Sequence, residues 1–348
     1  MKNNNRLLYL LIIILTIWCV VLTSIVVNND NASTKQVVNN VQINGISTDL
    51  TSIVNDKKDS LVSINASGSI GSGFIYKQDG EDIYVISAYH TIADAVSYYI
   101  YFANGYSTNA ELVGSNIYAD IAVLKIKSPY SVETLDLADA TTTKSGEFIL
   151  CIGTPVSVDY DQSVELGLVS NIRTIENSIT VEENTVNYYV DLIQLSSNLK
   201  PGYSGSPVLN MNGEVIGMVT MNIQDGFNFA ITSNEIKIIA DKLILEQQVT
   251  KYQLGIKGSY IENMPMFERS NLNLSVETIY GLYVEKLLDS SVALPAGIKA
   301  GDVILSINDV ELHNMNDYLS VVYSETDSLK FEVLRDGSIS NYKVNLND

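Results

Sequence analysis

A serine hydroxyl becomes a nucleophile only when a base takes its proton and backbone N–H groups stabilise the resulting oxyanion. The segment Pro201-Gly202-Tyr203-Ser204-Gly205-Ser206-Pro207 could supply the serine and the N–H groups. Glycine at 202 permits a tight turn that aims the amides of Gly202 and Ser204 at one point, and Gly205 would let a substrate carbonyl approach closely. Taken alone, the segment reads more simply as a surface turn. The base has to titrate near neutrality, and the chain holds two histidines. His90 ends the apolar run Val85-Ile86-Ser87-Ala88-Tyr89-His90, whereas His313 sits before a short C-terminal helix, exposed to solvent. His90 is therefore the candidate base. An imidazole base needs an acid to orient it. Asp120 opens Asp120-Ile121-Ala122-Val123-Leu124-Lys125-Ile126, at the mouth of a buried strand, where a charge is costly unless partnered. Asp94 is the alternative, in a turn four residues after His90. Nucleophile Ser204, base His90 and orienting acid Asp120 are the parts of an acyl-transfer site, in the chain order His, Asp, Ser.

These residues need rigid elements to hold them. From about Leu50 to Ser233, short apolar runs alternate with Gly, Asn and Asp, as in Ile83–Ile86, Ile121–Leu124, Tyr188–Leu192 and Val215–Val219. Many short strands predict an all-β barrel or sandwich. No internal repeat is visible at any fixed period. Asn234 to Gln248 reads as a helix with Ser233 as N-cap, and with Ile236 where a capping-box acid would stand. Over 251–348 the pattern changes to a mixed α/β unit. Its strands are Leu282–Val284, Val303–Ile307 and Leu329–Leu334, with an Asp336-Gly337 hairpin into Ile339–Leu346 and a short helix at Met315–Tyr323.

Composition narrows the functions. A net charge of −19 over 348 residues repels phosphate backbones and excludes nucleic acid as a partner. No metal-ligand spacing is present, so neither metal nor organic cofactor is expected. Cys19 lies in an apolar N-terminal run and Cys151 in another apolar run, Phe148–Ile152. Cys151 therefore reads as a small buried hydrophobe, and a disulfide between the two is not expected. Leu7 to Val27 is 21 residues without a charge, long enough for a transmembrane helix. Lys2 and Arg6 precede it, which places the N-terminus in the cytoplasm and everything after Asn28 outside. A cleaved signal peptide would have a shorter apolar core and a small-x-small site, and Ser24-Ile25-Val26 matches that poorly. The expected organisation is a cytoplasmic tail (1–6), a transmembrane anchor (7–27), a polar linker (28–49), a β-rich catalytic domain (50–250) and the C-terminal unit (251–348).

Beyond the triad's order, four stretches carry a resemblance to the HtrA (Deg) family. Ser69-Ile70-Gly71-Ser72-Gly73-Phe74-Ile75-Tyr76 resembles its glycine-rich strand, and Ser87-Ala88-Tyr89-His90 its histidine motif. Tyr118-Ala119-Asp120-Ile121-Ala122-Val123-Leu124-Lys125 resembles its aspartate motif, and Asn198-Leu199-Lys200-Pro201-Gly202-Tyr203-Ser204-Gly205 its nucleophile loop. In the C-terminal unit, Ala296-Gly297-Ile298-Lys299-Ala300-Gly301-Asp302-Val303-Ile304 is similar to the family's PDZ domain. The resemblance implies a trypsin-like double β-barrel followed by a mixed α/β PDZ domain, mostly β overall. It implies a serine endopeptidase acting through His90, Asp120 and Ser204, with an oxyanion hole formed by Gly202 and Ser204. Tyr252–Ile256 would be the carboxylate-binding loop, with Leu254, Gly255 and Ile256 holding the C-terminus of a peptide. An apolar S1 pocket would be lined by Leu199 and by Phe227 to Phe229. It further implies misfolded or damaged extracytoplasmic proteins as substrates, a role in protein quality control under stress, and a homotrimer. Two residues depart from the family pattern: Tyr203 replaces its Asn, and Ser206 replaces a Gly. If the backbone at 206 needs a positive φ, a serine there is strained. A degenerate enzyme retained as a PDZ-containing scaffold or chaperone, or a specific processing protease, are the alternative readings.

Overall fold

The computed structural model describes residues 15–18, 50–128, 131–181, 184–220, 227–247, 249, 254–272, 274, 279–324 and 326–346. Two compact units result, Met1–Ser47 and Thr48–Asp348. In the first, residues 15–18 are helical. Among the described residues no helix is long and apolar enough to cross a membrane. Most of the apolar run 7–27, Cys19, the linker 28–49 and the expected boundary at 250–251 lie outside the described residues.

The second unit begins with a helix, α1 (Leu50–Lys57), which buries Ile53. Six strands follow: β1 (Leu61–Ala66), β2 (Ser69–Asp79), β3 (Asp82–Ala88), β4 (Tyr98–Phe102), β5 (Ser107–Asn116) and β6 (Ile121–Lys127). A short helix, α2 (Tyr89–Ile92), follows β3. The strands close into a barrel in the order β1-β2-β3-β6-β5-β4. The run at β6 is apolar at almost every position because both of its faces are covered. Ala122, Leu124 and Ile126 fill the barrel, while Ile121 and Val123 join the large core outside it.

A second barrel is built from β7 (Phe148–Gly153), β8 (Ser163–Val181), β9 (Asn184–Leu195), β10 (Pro207–Leu209), β11 (Val215–Val219) and β12 (Asn228–Thr232). Its closed order, read from β7, is β7-β8-β9-β12-β11-β10, the connectivity of the first barrel repeated. The sequence carries no visible period because strand lengths and loops differ between the two halves. Strands β8 and β9 pair from Val169↔Leu195 out to Val181↔Asn184, whereas β12 pairs only with Leu192–Leu195 of β9. The outer half of this hairpin therefore projects beyond its barrel. Cys151 is fully buried in the barrel core, and burial pushes its thiol up to about 12.

Helix α3 (Ser233–Glu246) buries Ile236, Ile239, Ala240 and Leu243, the spacing of one helical face. Its N-cap is Thr232, not Ser233. Thr232 keeps an extended backbone and its hydroxyl accepts from the Glu235 N–H at 3.4 Å. Ser233 is already helical, and its hydroxyl donates to the Ala138 carbonyl at 2.6 Å. Moving the cap by one residue puts Glu235 where Ile236 was expected, in the first turn.

The C-terminal unit is a sheet in the order β13-β14-β15-β17-β18, with β16 beside β15. The strands are β13 (Ile256–Tyr260), β14 (Leu282–Leu287), β15 (Val303–Ile307), β16 (Val310–Glu311), β17 (Ser328–Arg335) and β18 (Ser338–Asn345). Two helices accompany them, α4 (Met266–Asn271) and α5 (Met315–Val322), the latter closed at its start by a capping box between Asn314 and Asp317. One charge is sealed into this unit. Asp302 is completely buried and receives Arg335 at 2.5 and 2.7 Å, while Arg335 also donates to the Gly297 carbonyl and lies over the Tyr342 ring. Removing one partner of such a pair leaves the other buried and uncompensated. Arg335→Ala is expected to destabilise this domain by about 3 kcal/mol, at the low end of the usual range because Arg335 is partly exposed. Thermal unfolding followed by circular dichroism measures this. A variant that melts with the parent would mean that the ion pair contributes nothing.

Candidate active site

His90 stands at the start of α2, directly after β3, and Asp120 immediately precedes β6. Strands β3 and β6 are paired with Ala88 opposite Ile121, so the ends that carry these residues are adjacent. The Tyr89 N–H donates to the Asp120 carbonyl at 3.0 Å, and the His90 N–H to Asp120 Oδ1 at 2.8 Å. Asp120 adopts φ +53°, a left-handed conformation that aspartate tolerates better than most residues and that turns its carboxylate back toward His90. Its Oδ2 lies 2.7 Å from His90 Nδ1 and accepts from the Thr220 hydroxyl at 2.5 Å. On the other side of the ring, Nε2 lies 2.8 Å from Ser204 Oγ. A carboxylate only accepts, so Nδ1 carries the ring proton and Nε2 is left to accept from the serine. The imidazole is 30% exposed and the carboxylate 13%, so the base is the more open to solvent and the acid sits deeper behind it.

The nucleophile loop closes as a turn in which the Tyr203 N–H donates to the Lys200 carbonyl at 3.2 Å. Gly202 has φ +102°, and a Cβ there would lie 2.3 Å from the Thr154 carbonyl oxygen, so only glycine fits. The Val156 N–H holds the Pro201 carbonyl at 2.9 Å, and the Ser72 N–H holds that of Ser204 at 2.9 Å. No acceptor among the described residues takes the Gly202 or Ser204 amide. Two unengaged N–H groups beside the serine that His90 contacts are the donors that a tetrahedral oxyanion requires.

Other expectations at the loop change in detail. Gly205 is required by β2, since a Cβ there would sit 2.1 Å from the Ser72 carbonyl oxygen. Ser206 is not in a left-handed conformation and carries no strain. It is fully buried, and its hydroxyl donates to the Tyr203 carbonyl at 2.5 Å, bracing the turn. The Tyr203 ring is buried in the second-barrel core beside Cys151, and burial pushes its phenol up to about 12. Leu199 and Phe229 are buried, Phe227 is half exposed, and residues 221–226 lie outside the described residues. Asp94 is exposed and outside the hydrogen-bonded set. His313 lies between Glu262 (3.0 Å) and Glu311 (3.2 Å) on the surface of the C-terminal unit.

A cleft of about 260 Å³ opens beside His90 and Asp120, with Tyr118, Ile179, Tyr188, Val190 and Leu192 among its walls. The rings of Tyr118 and Tyr188 meet edge to face at 5.8 Å. Strand β9 supplies the far wall through Tyr188, Val190 and Leu192. Its intervening residues, Tyr189 and Asp191, point the other way, toward the C-terminal unit. There they meet Gly255, Ile256, Met315, Tyr318 and Leu319, together with Glu235 from α3, around a cavity of about 20 Å³. That is room for about one water molecule. Leu254 and Ile256 are buried, and the carbonyls of Leu254 and Gly255 are held by Ser291 (2.5 Å) and Leu288 (2.9 Å). Tyr252 and Gln253 lie outside the described residues. In this arrangement Gly255 and Ile256 face Tyr189, Asp191 and Glu235 of the catalytic domain, and Tyr323 of the C-terminal unit donates to Glu235 at 2.6 Å.

Thr220, Ser72 and the two tyrosines of the cleft escape a sequence reading. Each acts on a partner far along the chain, and a lone Thr or Ser after an apolar run carries no local signal.

Comparison with known proteins agrees with this geometry. Residues 71–218 match the trypsin-like peptidase domain and residues 253–346 the PDZ domain. The chain is 30% identical over 327 residues to the serine protease Do-like HtrA of Lactococcus lactis subsp. lactis, covering 90% of this chain and 80% of that one. It is 30% identical over 290 residues to the protein of the same name in Bacillus subtilis, of whose length it spans 64%. A solved structure of the HtrA-type protease AlgW with a tripeptide superposes with a TM-score of 0.60 at 26% identity, covering 85% of this chain and 95% of that one. With a hydrogen-bonded Ser, His and Asp between two barrels and a PDZ domain behind them, the chain belongs to the HtrA family of trypsin-like serine endopeptidases.

Proposed function

We propose that this protein is a membrane-anchored endopeptidase that hydrolyses misfolded or damaged extracytoplasmic proteins, with His90, Asp120 and Ser204 as its catalytic triad. The observation that carries the chemistry is the continuous hydrogen-bonded series Thr220–Asp120–His90–Ser204 beside two free amides. As a peptide carbonyl enters, Ser204 Oγ attacks its carbon and His90 Nε2 takes the proton. The oxyanion forms between the N–H groups of Gly202 and Ser204. Collapse of this intermediate expels the amine, which receives its proton from His90. A water molecule then attacks the acyl-serine ester by the same route, regenerating Ser204. Asp120 holds the ring in the productive tautomer throughout and stabilises its charged form.

The apolar cleft beside His90 supports substrates that expose apolar side chains, as unfolded proteins do. The PDZ domain and a neighbour solved with a tripeptide support the binding of peptide C-termini at Leu254–Ile256. The length of the apolar run 7–27 and the charges of Lys2 and Arg6 support the anchor. Family resemblance supports quality control and a homotrimer. Ser206, the residue that favoured a degenerate scaffold, is unstrained, so nothing at the loop argues for that reading.

A fluorophosphonate that does not cross membranes, applied to intact cells, tests chemistry and topology together. Expected is a full-length, membrane-fraction protein labelled on Ser204. Absence of label even in lysate would sink the peptidase. Label appearing only after lysis would place the site in the cytoplasm, and a labelled, shortened protein in the medium would show that the anchor is cleaved.

A further inference from the structure

The two amides that would receive the oxyanion belong to Gly202 and Ser204, and the carbonyls of those same two residues are both held by one side chain's residue, Ser72. Ser72 lies in the Gly71-Ser72-Gly73 segment of β2, on the first barrel, whereas the nucleophile loop belongs to the second. It is 1% exposed. Its N–H donates to the Ser204 carbonyl at 2.9 Å and its hydroxyl to the Gly202 carbonyl at 2.7 Å. The direction of the second bond is fixed by chemistry. The hydroxyl also lies 2.8 Å from the Thr154 N–H, which can only donate, so the single hydroxyl proton is left for Gly202. The Ser72 carbonyl is in turn held by the Ser87 hydroxyl at 2.8 Å. A polar group so enclosed and so fully satisfied costs little to keep and much to disturb.

We infer that Ser72 is a positioning residue for the oxyanion site, its hydroxyl holding the Gly202–Tyr203 peptide so that the Gly202 and Ser204 amides stay aimed before substrate arrives. This rests on the peptidase reading above. Glycine turns about its own bonds more readily than any other residue, and Gly202 sits at φ +102°. The other bonds to the loop, from Val156 to the Pro201 carbonyl, from Tyr203 to Lys200, from Ser206 to the Tyr203 carbonyl and from the Ser72 N–H to the Ser204 carbonyl, leave the Gly202 carbonyl to the Ser72 hydroxyl alone. With the hydroxyl gone, the amides lose part of their preorganisation. A site that must reorganise at the moment of reaction stabilises the transition state less while binding the ground state as before.

The test is Ser72→Ala in the full chain, compared with wild type, Ser204→Ala and Ser63→Ala on an internally quenched peptide substrate. Ser63 is buried in the same network, 2.5 Å from the Thr154 hydroxyl, but does not touch the nucleophile loop. For Ser72→Ala, kcat should fall roughly tenfold to a hundredfold with KM within twofold, less than the ~10²–10³-fold of losing an oxyanion donor outright. The inhibition constant of a matched peptide boronate should rise in step with the loss of kcat/KM. Ser63→Ala should keep wild-type kcat even if it melts earlier. Wild-type kcat in Ser72→Ala, or equal kcat losses in the two variants, would overturn the positioning role. Wild type no faster than Ser204→Ala would instead overturn the peptidase reading, and this inference with it. Should the alanine variant not fold, Ser72→Cys, which keeps a weak donor, is measured in its place against the same criteria.

Discussion

Replacing Ser204 by alanine leaves a folded protein that no longer cleaves an unfolded substrate. The substitution removes one oxygen from a partly buried loop position and one hydrogen bond, the 2.8 Å contact to His90, while every backbone bond of the turn survives. The unfolding midpoint should therefore shift by no more than about 2–4 °C. The rate should fall roughly 10⁶-fold, since nucleophile and base act as one unit, and His90→Ala should cost about as much. Adding the second substitution to the first should change little further. Peptide release from a reduced, unfolded test protein measures this. Cleavage by Ser204→Ala at the wild-type rate would remove Ser204 from the mechanism.

Asp120→Asn is expected to be nearly as severe, for a different reason. The carboxylate accepts three hydrogen bonds, from the His90 N–H, the His90 ring and Thr220. An amide of the same size has one accepting oxygen. Kept on the backbone side, it turns its NH₂ toward Nδ1 and forces the proton onto Nε2, where it faces Ser204 and the base is lost. Flipped, it opposes two donors across the His90 N–H. Either way kcat at neutral pH should drop roughly 10⁴-fold with little change in KM. A loss smaller than about tenfold would show that Asp120 does not set the tautomer.

Both substitutions fall on residues legible in the sequence, and the reason is local. His90 and Asp120 end or begin apolar runs, and Ser204 sits in a glycine-flanked turn, so residue type and neighbourhood mark them. The β11 and β15 runs likewise coincide with strands, because their apolar stretches are bounded by turn residues. What the sequence hides is long-range. Ser72 meets Gly202 across 130 positions and Thr220 meets Asp120 across 100, contacts that exist only once two barrels close against each other. The twofold repetition of the barrel is hidden for the same reason, since connectivity is a property of pairing rather than of composition. The cap of α3 is a smaller case: by type Ser233 is the slightly better cap, but its hydroxyl is taken by the Ala138 carbonyl and Thr232 caps instead.

Strand β9 makes an unusual demand on heredity. It is a party wall one residue thick, with Tyr188, Val190 and Leu192 furnishing the cleft and Tyr189 and Asp191 furnishing the surface that meets the PDZ domain. Point changes on one face leave the other untouched, so the two surfaces can drift independently. Loss or gain of a single codon cannot be absorbed in this way. It would exchange the tenants of both rooms at once, placing a carboxylate beside the reacting histidine and apolar side chains against the PDZ domain. Length variation in this hairpin should therefore be confined to its tip or arrive in pairs of residues, while its spelling remains free to change.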